Sequence, residues 1–212
     1  MAIASQLGYD DLPRLLTRLT GDAKHDRSSL STLDVLWVLY DRVLGDDDRF
    51  LLSKGHGPAA FYAVLAAKGL LPVELLDGFG SFDSPLGHHP DRVLVPGAEI
   101  GSGSLGHGLP IAVGRALAGR QVYVLVGDGE LDEGSNWEAV QYAGRVGLET
   151  LTVVAVDNDS STHGWPGGIE QRFALEGWHA RRVDGRDHDA LEAALRAETA
   201  GRPRCVVAEM RR

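Results

Sequence analysis

Three runs of sequence constrain the architecture most. QVYVLV (121–126), LTVVAV (151–156) and RCVVAEM (204–210) are β-rich, nearly unbroken apolar stretches bounded by turn residues. A strand that is apolar at successive positions is buried on both faces, which implies a parallel sheet covered by helices. Helical patterns at 104–119, 134–146 and 187–198 separate these runs. The alternation predicts an α/β fold, a doubly wound and mostly parallel sheet flanked by helices. In such folds ligands gather at the carboxyl ends of the strands.

The first half of the chain reads as mainly helical. Residues 11–20 form a short helix. SLSTLDVLWVLYDRVL (29–44) carries Leu30, Leu33, Leu36, Val43 and their neighbours at helical spacing, with Ser29 or Ser31 as cap. Helices follow at 58–69 and 72–78, and 81–103 reads as a long functional loop. No repeat or linker divides the 212 residues, so one domain over 1–212 is expected. A formal net charge of −9 disfavours nucleic acid as the main partner, because phosphate binding needs a basic face. No membrane span or signal peptide is expected, and a lone cysteine, Cys205, forms no disulfide or zinc cluster. A cytoplasmic location follows as the default. The 27 glycines concentrate around 55–57, 101–108, 127–134 and 164–168, which suggests backbone held close to a ligand.

Two constellations compete for the chemistry. GSGSLGHG (101–108) matches a dinucleotide fingerprint, with Asp128 at the end of the next strand as the ribose-binding acid. Its preceding segment, VLVPGAEI, makes a poor central strand because of Pro96 and Gly97. The other constellation is Gly127-Asp128-Gly129 at the end of one strand and Asp157-Asn158 at the end of another. A helix and a strand lie between them, so Asp128 and Asn158 can converge at neighbouring strand ends. A carboxylate, an amide oxygen and a loop carbonyl make a hard-oxygen set suited to Mg²⁺ or Ca²⁺. The glycines would let backbone N–H groups and a helix N-terminus approach a diphosphate. Ordinary turns are the plain alternative, since Gly, Asp and Asn favour turns in any case.

GDG followed by DN resembles the thiamine diphosphate motif, and the flanking residues resemble the transketolase family. SKGHGPAAFYAVLAAKGLL, GHHPDRVLVPGAEIGSGSLGHGLPIAVGRALA, GDGELDEGSNWEAV and VAVDNDSSTHGW are similar to its motifs in family order, over roughly 20–210. The resemblance implies a thiamine diphosphate-binding fold. It implies that Asp128, Asn158 and the carbonyl of Ser160 ligate Mg²⁺, with Ca²⁺ as a substitute. Gly127 and Gly129 would meet the diphosphate, and Gly103 and Leu105 would line the cofactor's rings. His56 would contact the diphosphate and face the reacting centre, and Glu133 would join an acidic network near a subunit contact. His25, His56 and His89 would be the catalytic histidines around the substrate's hydroxyl and carbonyl groups. His88 competes with His89, and His107 stands where the family has Gln. Trp137 and Trp165 read as packing or interface residues, Asp132 as a solvated turn residue.

In that family the glutamate that activates thiamine diphosphate belongs to a separate pyrimidine-binding domain, for which this chain has no room. The resemblance is therefore to the pyrophosphate-binding half of a split transketolase, inactive alone, with a second subunit in an α₂β₂ assembly. Its reaction would move a two-carbon ketol unit from a ketose to an aldehyde. The alternatives are one component of a decarboxylating 2-oxo acid enzyme or a nicotinamide-dependent dehydrogenase. The chain stops at Arg211-Arg212, where the family continues through a K-G-x-G-like segment and a further histidine. A wider entrance is the corresponding expectation, which fits an unusual or carrier-borne aldehyde better than small-molecule sugar phosphates alone.

Overall fold

A computed structural model describes residues 7–20, 26–56 and 58–210, with the backbone alone at 26 and 27. Five strands, β1 (Arg49–Leu52), β2 (Val122–Gly127), β3 (Leu151–Asp157), β4 (His179–Asp184) and β5 (Arg204–Glu209), form one sheet in the order β1-β2-β3-β5-β4. Every pairing is parallel. β2 and β3 are buried at every position, as their apolar runs require. Their side chains alternate between two cores. Tyr123, Leu125, Val154 and Val156 face one, and Val122, Val124, Val126 and Val153 face the other.

Eight helices are described: α1 (Leu12–Leu16), α2 (Asp26–Leu30), α3 (Leu33–Val38), α4 (Ala59–Ala67), α5 (Gly108–Leu117), α6 (Gly134–Val146), α7 (Ile169–Leu175) and α8 (His188–Arg196). α1, α3, α4 and α8 supply apolar residues to the first core, and α5, α6 and α7 to the second. α4 is buried on nearly all sides, which is why AAFYAVLAA is apolar throughout. α8 begins at Asp187, whose carboxylate accepts the N–H groups of Asp189 and Ala190.

The structure divides the single helix expected over 29–44. α2 ends at Leu30, and Ser31-Thr32 make a turn before α3. The following residues, Leu39–Val43, wind into a π-helical turn in which Leu44 N–H reaches Leu39 C=O at 2.8 Å. The helix expected from 104 begins at Gly108, because Gly103 and Gly106 hold positive φ (115° and 82°) and keep GSLG outside it. The 81–103 segment is pinned despite its irregularity. Leu86 and Val95 are buried, and the Tyr62 hydroxyl donates to Gly87 C=O at 2.9 Å. Among the described residues no helix is long and apolar enough to cross a membrane.

Candidate functional site

Three adjacent strands each end in a polar motif. Leu52 pairs with Leu125, and Gly127 with Val156, so the carboxyl ends of β1, β2 and β3 lie side by side. Ser53-Lys54-Gly55-His56, Asp128-Gly129-Glu130 and Asn158 leave the sheet there. The first two of these loops also touch the glycine-rich loop before α5. A Cβ on Gly55 would lie 2.6 Å from the amide nitrogen of Gly103, a close approach that only glycine permits.

Asp128 is 1% exposed. Its carboxylate accepts the N–H groups of Ser160 at 2.7 Å and Ser161 at 3.1 Å, and also the Ser160 hydroxyl. Asp132, expected as a solvated turn residue, is exposed but accepts the Ser161 hydroxyl at 3.0 Å and Thr162 N–H at 3.2 Å. The loop after β3 is thus folded back over Gly-Asp-Gly. The Trp165 indole N–H fastens the far end of that loop to Asp128 C=O at 3.2 Å, and its ring packs 5.5 Å from Trp137. Asn158 donates to the Ser31 hydroxyl at 2.9 Å, yet its Oδ1 is buried with no hydrogen-bond partner among the described residues.

That orphaned amide oxygen is an observation of fit to a cation. The Ser160 carbonyl faces Gly129, where an added Cβ would stand 3.1 Å away. One carboxylate, one amide oxygen and one carbonyl make a donor set for a hard divalent ion. No cluster of three His, Cys, Asp or Glu side chains exists among the described residues, and a set of this mixed kind needs none. The adjoining cavity has a volume of about 300 Å³, and Ser28, Lys54, His56, Leu105, Gly127 and Gly129 are among its lining residues. A broader groove of about 610 Å³ beside Tyr9, Asp34 and His188 contains none of the motif residues. Tyr9 and His188 there both bond Asp34, at 2.5 and 2.8 Å.

Two charged residues inside the quoted motifs, to which the sequence alone assigned no role, complete the site. Glu130, 3% exposed, accepts the Ser53 hydroxyl at 2.5 Å, Gly106 N–H at 3.1 Å and Gly127 N–H at 3.4 Å. One carboxylate therefore ties together three loops. Burial raises its pKa, while these donors and Lys54 offset part of the rise. Lys54, 6% exposed, donates to Ser28 C=O at 2.9 Å and to the Ser28 hydroxyl at 2.5 Å. Burial lowers its pKa to about 8, against the opposing pull of Asp128 and Glu130. Neither was singled out within its motif, because burial is what makes each unusual.

The histidines separate. His56 and His89 meet edge to face with ring centroids 5.2 Å apart, and His89 covers Gly103. His88 turns the other way, onto Phe79 at 5.4 Å. His107 is exposed at the start of α5, and Glu133 is exposed at the start of α6, outside the cavity lining. His25 lies outside the described residues. The dinucleotide alternative lacks its strand, since the residues before GSGSLGHG form turns.

An oxygen-donor set and a glycine-walled cavity thus meet at three strand ends of a parallel α/β domain. Residues 40–211 match the family described as transketolase, thiamine diphosphate binding domain. The chain belongs to the transketolase family. It is 35% identical to one of the subunits of apulose-4-phosphate transketolase from Actinobacillus succinogenes, over 87% of this chain and 75% of that protein. It is 51% identical to ferredoxin fas2 of Rhodococcoides fascians, over 98% of this chain and 74% of that protein. A ferredoxin cluster is held by several cysteine thiolates. The single cysteine of this chain, Cys205, is fully buried in β5, so these residues could not ligate such a cluster by themselves. The fold superposes on transketolase from Leishmania mexicana with a TM-score of 0.77 and 26% identity, over 95% of this chain and 36% of that one.

Proposed function

We propose that this chain is the thiamine diphosphate- and Mg²⁺-binding half of a two-component transketolase, which transfers a two-carbon ketol unit from a ketose to an aldehyde. The observation that carries the reading is the buried, unpartnered Oδ1 of Asn158 on the loop that the Asp128 carboxylate holds down. Asp128, Asn158 and the Ser160 carbonyl would hold the metal, with Ca²⁺ able to replace Mg²⁺. Gly127 and Gly129 leave room for a diphosphate at the strand ends, and Leu105 offers an apolar wall for the cofactor's rings. Thiamine diphosphate, when bound, supplies the nucleophilic carbon and the electron sink for cleaving a bond beside a carbonyl. His25, His56 and His89 would then hold and move protons at the substrate's hydroxyl and carbonyl oxygens. Glu133, exposed next to Gly106, belongs to the contact with the second subunit.

That second subunit would carry the pyrimidine-binding domain and its activating glutamate, in an α₂β₂ complex located in the cytoplasm. The Actinobacillus relative bears the name of one subunit within a transketolase, which supports a split arrangement. Calorimetric titration of thiamine diphosphate with Mg²⁺ tests the reading, using wild type and Asp128→Ala, with and without the co-expressed partner. Binding that needs both Asp128 and the partner is the expected result. A complex that binds no thiamine diphosphate, or binds it equally well after Asp128→Ala, would overturn it.

A further inference from the structure

The loop after β3 has little in its own backbone to fix its course. Gly164, Gly167 and Gly168 hold positive φ (66°, 84° and 92°), and a Cβ on Gly164 or Gly167 would meet open space. Of residues 159–168 only Ser161, Trp165 and Gly168 are not exposed, so Trp165 is the large side chain that anchors the stretch. It shares that anchorage with Trp137 of α6. The Trp165 indole N–H donates to Asp128 C=O at 3.2 Å, and the Trp137 indole N–H donates to Leu131 C=O at 2.8 Å. Two rings packed 5.5 Å apart therefore grip the loop after β2 at two points. Arg172 of α7 closes the group from outside, its guanidinium carbon 5.1 Å from the Trp165 ring and 6.0 Å from the Trp137 ring. Arg172 makes no ion pair among the described residues, so its charge is spent on the aromatic faces.

The near end of the loop is held differently. Ser160 and Ser161 donate to the Asp128 carboxylate, which is itself a proposed metal ligand. An ion competes with those donors for the same oxygens. The Trp165 bond goes to the main-chain oxygen of Asp128, which stands outside the donor set, so ion binding does not compete with it. Trp165 is also absent from the cavity lining. How firmly a loop is held matters unequally to two cations. Mg²⁺ demands near-octahedral oxygens at about 2.0–2.1 Å, whereas Ca²⁺ accepts a looser shell at about 2.3–2.6 Å. We infer that Trp165, packed between Trp137 and Arg172, is a positioning residue that holds the Ser160 carbonyl opposite Gly129 and thereby makes the site select Mg²⁺ over Ca²⁺. The inference rests on the proposed function.

The test is calorimetry on the co-expressed complex, with thiamine diphosphate titrated in Mg²⁺ and separately in Ca²⁺. Wild type is compared with Trp165→Leu and Arg172→Met, thermal unfolding of each complex is recorded alongside, and the quantity read is the ratio of the two affinities. Trp165→Leu is expected to weaken binding in Mg²⁺ about tenfold, the loss typical of an outer partner of a metal ligand, and binding in Ca²⁺ far less. Arg172→Met changes an exposed side chain and should move the ratio the same way by about two- to threefold, the size of an exposed cation–π contact. An unchanged ratio in both folded variants, whatever happens to the affinities themselves, would mark the aromatic group as structural and overturn the inference. Where Trp165→Leu does not assemble, an unchanged ratio in Arg172→Met overturns it likewise. So would a wild-type complex that binds equally well in either ion. A wild-type complex that binds no thiamine diphosphate in either ion would instead defeat the proposed function, and this inference with it.

Discussion

Two polar clusters sit at the carboxyl edge of the same sheet, and they are built on opposite plans. At the ends of β3, β5 and β4, Arg182 reaches Asp157 at 2.8 Å, Glu170 at 2.9 Å and Glu209 at 3.6 Å. One guanidinium there answers a fully buried carboxylate and ties α7 to two strands. At the ends of β1, β2 and β3, Asn158 Oδ1 has no partner among the described residues, and Lys54 meets two carboxylates only at a distance. The boundary falls between consecutive residues, because Asp157 turns to Arg182 while Asn158 turns to Ser31. A buried polar group that is fully answered by its neighbours belongs to the architecture. One left unanswered calls for another explanation, and beside a cavity a bound ion is one such explanation.

Arg182→Met should show the largest effect on stability. It takes from Asp157, 1% exposed at its side chain, the guanidinium that meets it at 2.8 Å, and a loss of about 3–5 kcal/mol in denaturant unfolding is expected. Asn158→Ala should invert that pattern. It gives up one hydrogen bond and removes an orphan oxygen, so stability should change by only about 1 kcal/mol. Cofactor affinity in the complex should nonetheless fall about a hundredfold, ~3 kcal/mol, as read by calorimetry. If both variants lose stability alike, the two clusters do not differ in kind.

Titration separates the clusters further. Lys54 releases its proton near pH 8 in the folded chain against its ordinary 10.5, so the unfolded chain binds more protons between those values. Stability of the cofactor-free protein in chelator should therefore rise with pH across that window, and the rise should vanish in Lys54→Met. Glu130 acts in the opposite sense on the acid side. Its folded pKa lies above the usual 4.5, so its contribution to stability is greatest below 4.5 and is lost as pH rises through the folded value. Urea unfolding at a series of pH values, wild type against each variant, reads both. The smallest effect belongs to Trp165→Phe, which removes the indole bond to Asp128 C=O and keeps most of the ring stacked on Trp137. A cost of about 1 kcal/mol and a change of only a few-fold in cofactor affinity are expected.

The contrast also explains how much could be read from the residues alone. β2, β3 and β5 announced themselves because central strands are apolar on both faces, and α6 has the bounds its periodicity gives, 134–146. β4 did not, because HARRVD is an edge strand whose Arg182 is covered by ion pairs rather than by apolar packing. β1 is four residues long and begins at the Arg49 that ends GDDDR, where the polar run masks the strand. α7 hid in a glycine-rich stretch. In the site, the conspicuous motifs Gly-Asp-Gly, Asp-Asn and the histidine pair were legible from their residue types and order. Lys54 and Glu130 were not, since Lys and Glu are ordinarily surface residues and their partners lie far away along the chain. Which of His88 and His89 faces His56 was likewise a question of loop direction, which composition does not encode.

That distance along the chain has a consequence for how the protein comes into being. Ser53 meets Glu130 across 77 residues, and Ser31 meets Asn158 across 127. Contacts between such remote positions close late, because the intervening loop must first be ordered. During synthesis the helices packed on β1 can gather early, but the cavity has no floor until β2 emerges and no far wall until the loop after β3 follows. Capacity to retain cofactor is then a certificate of completed folding, which a nascent or truncated chain cannot present.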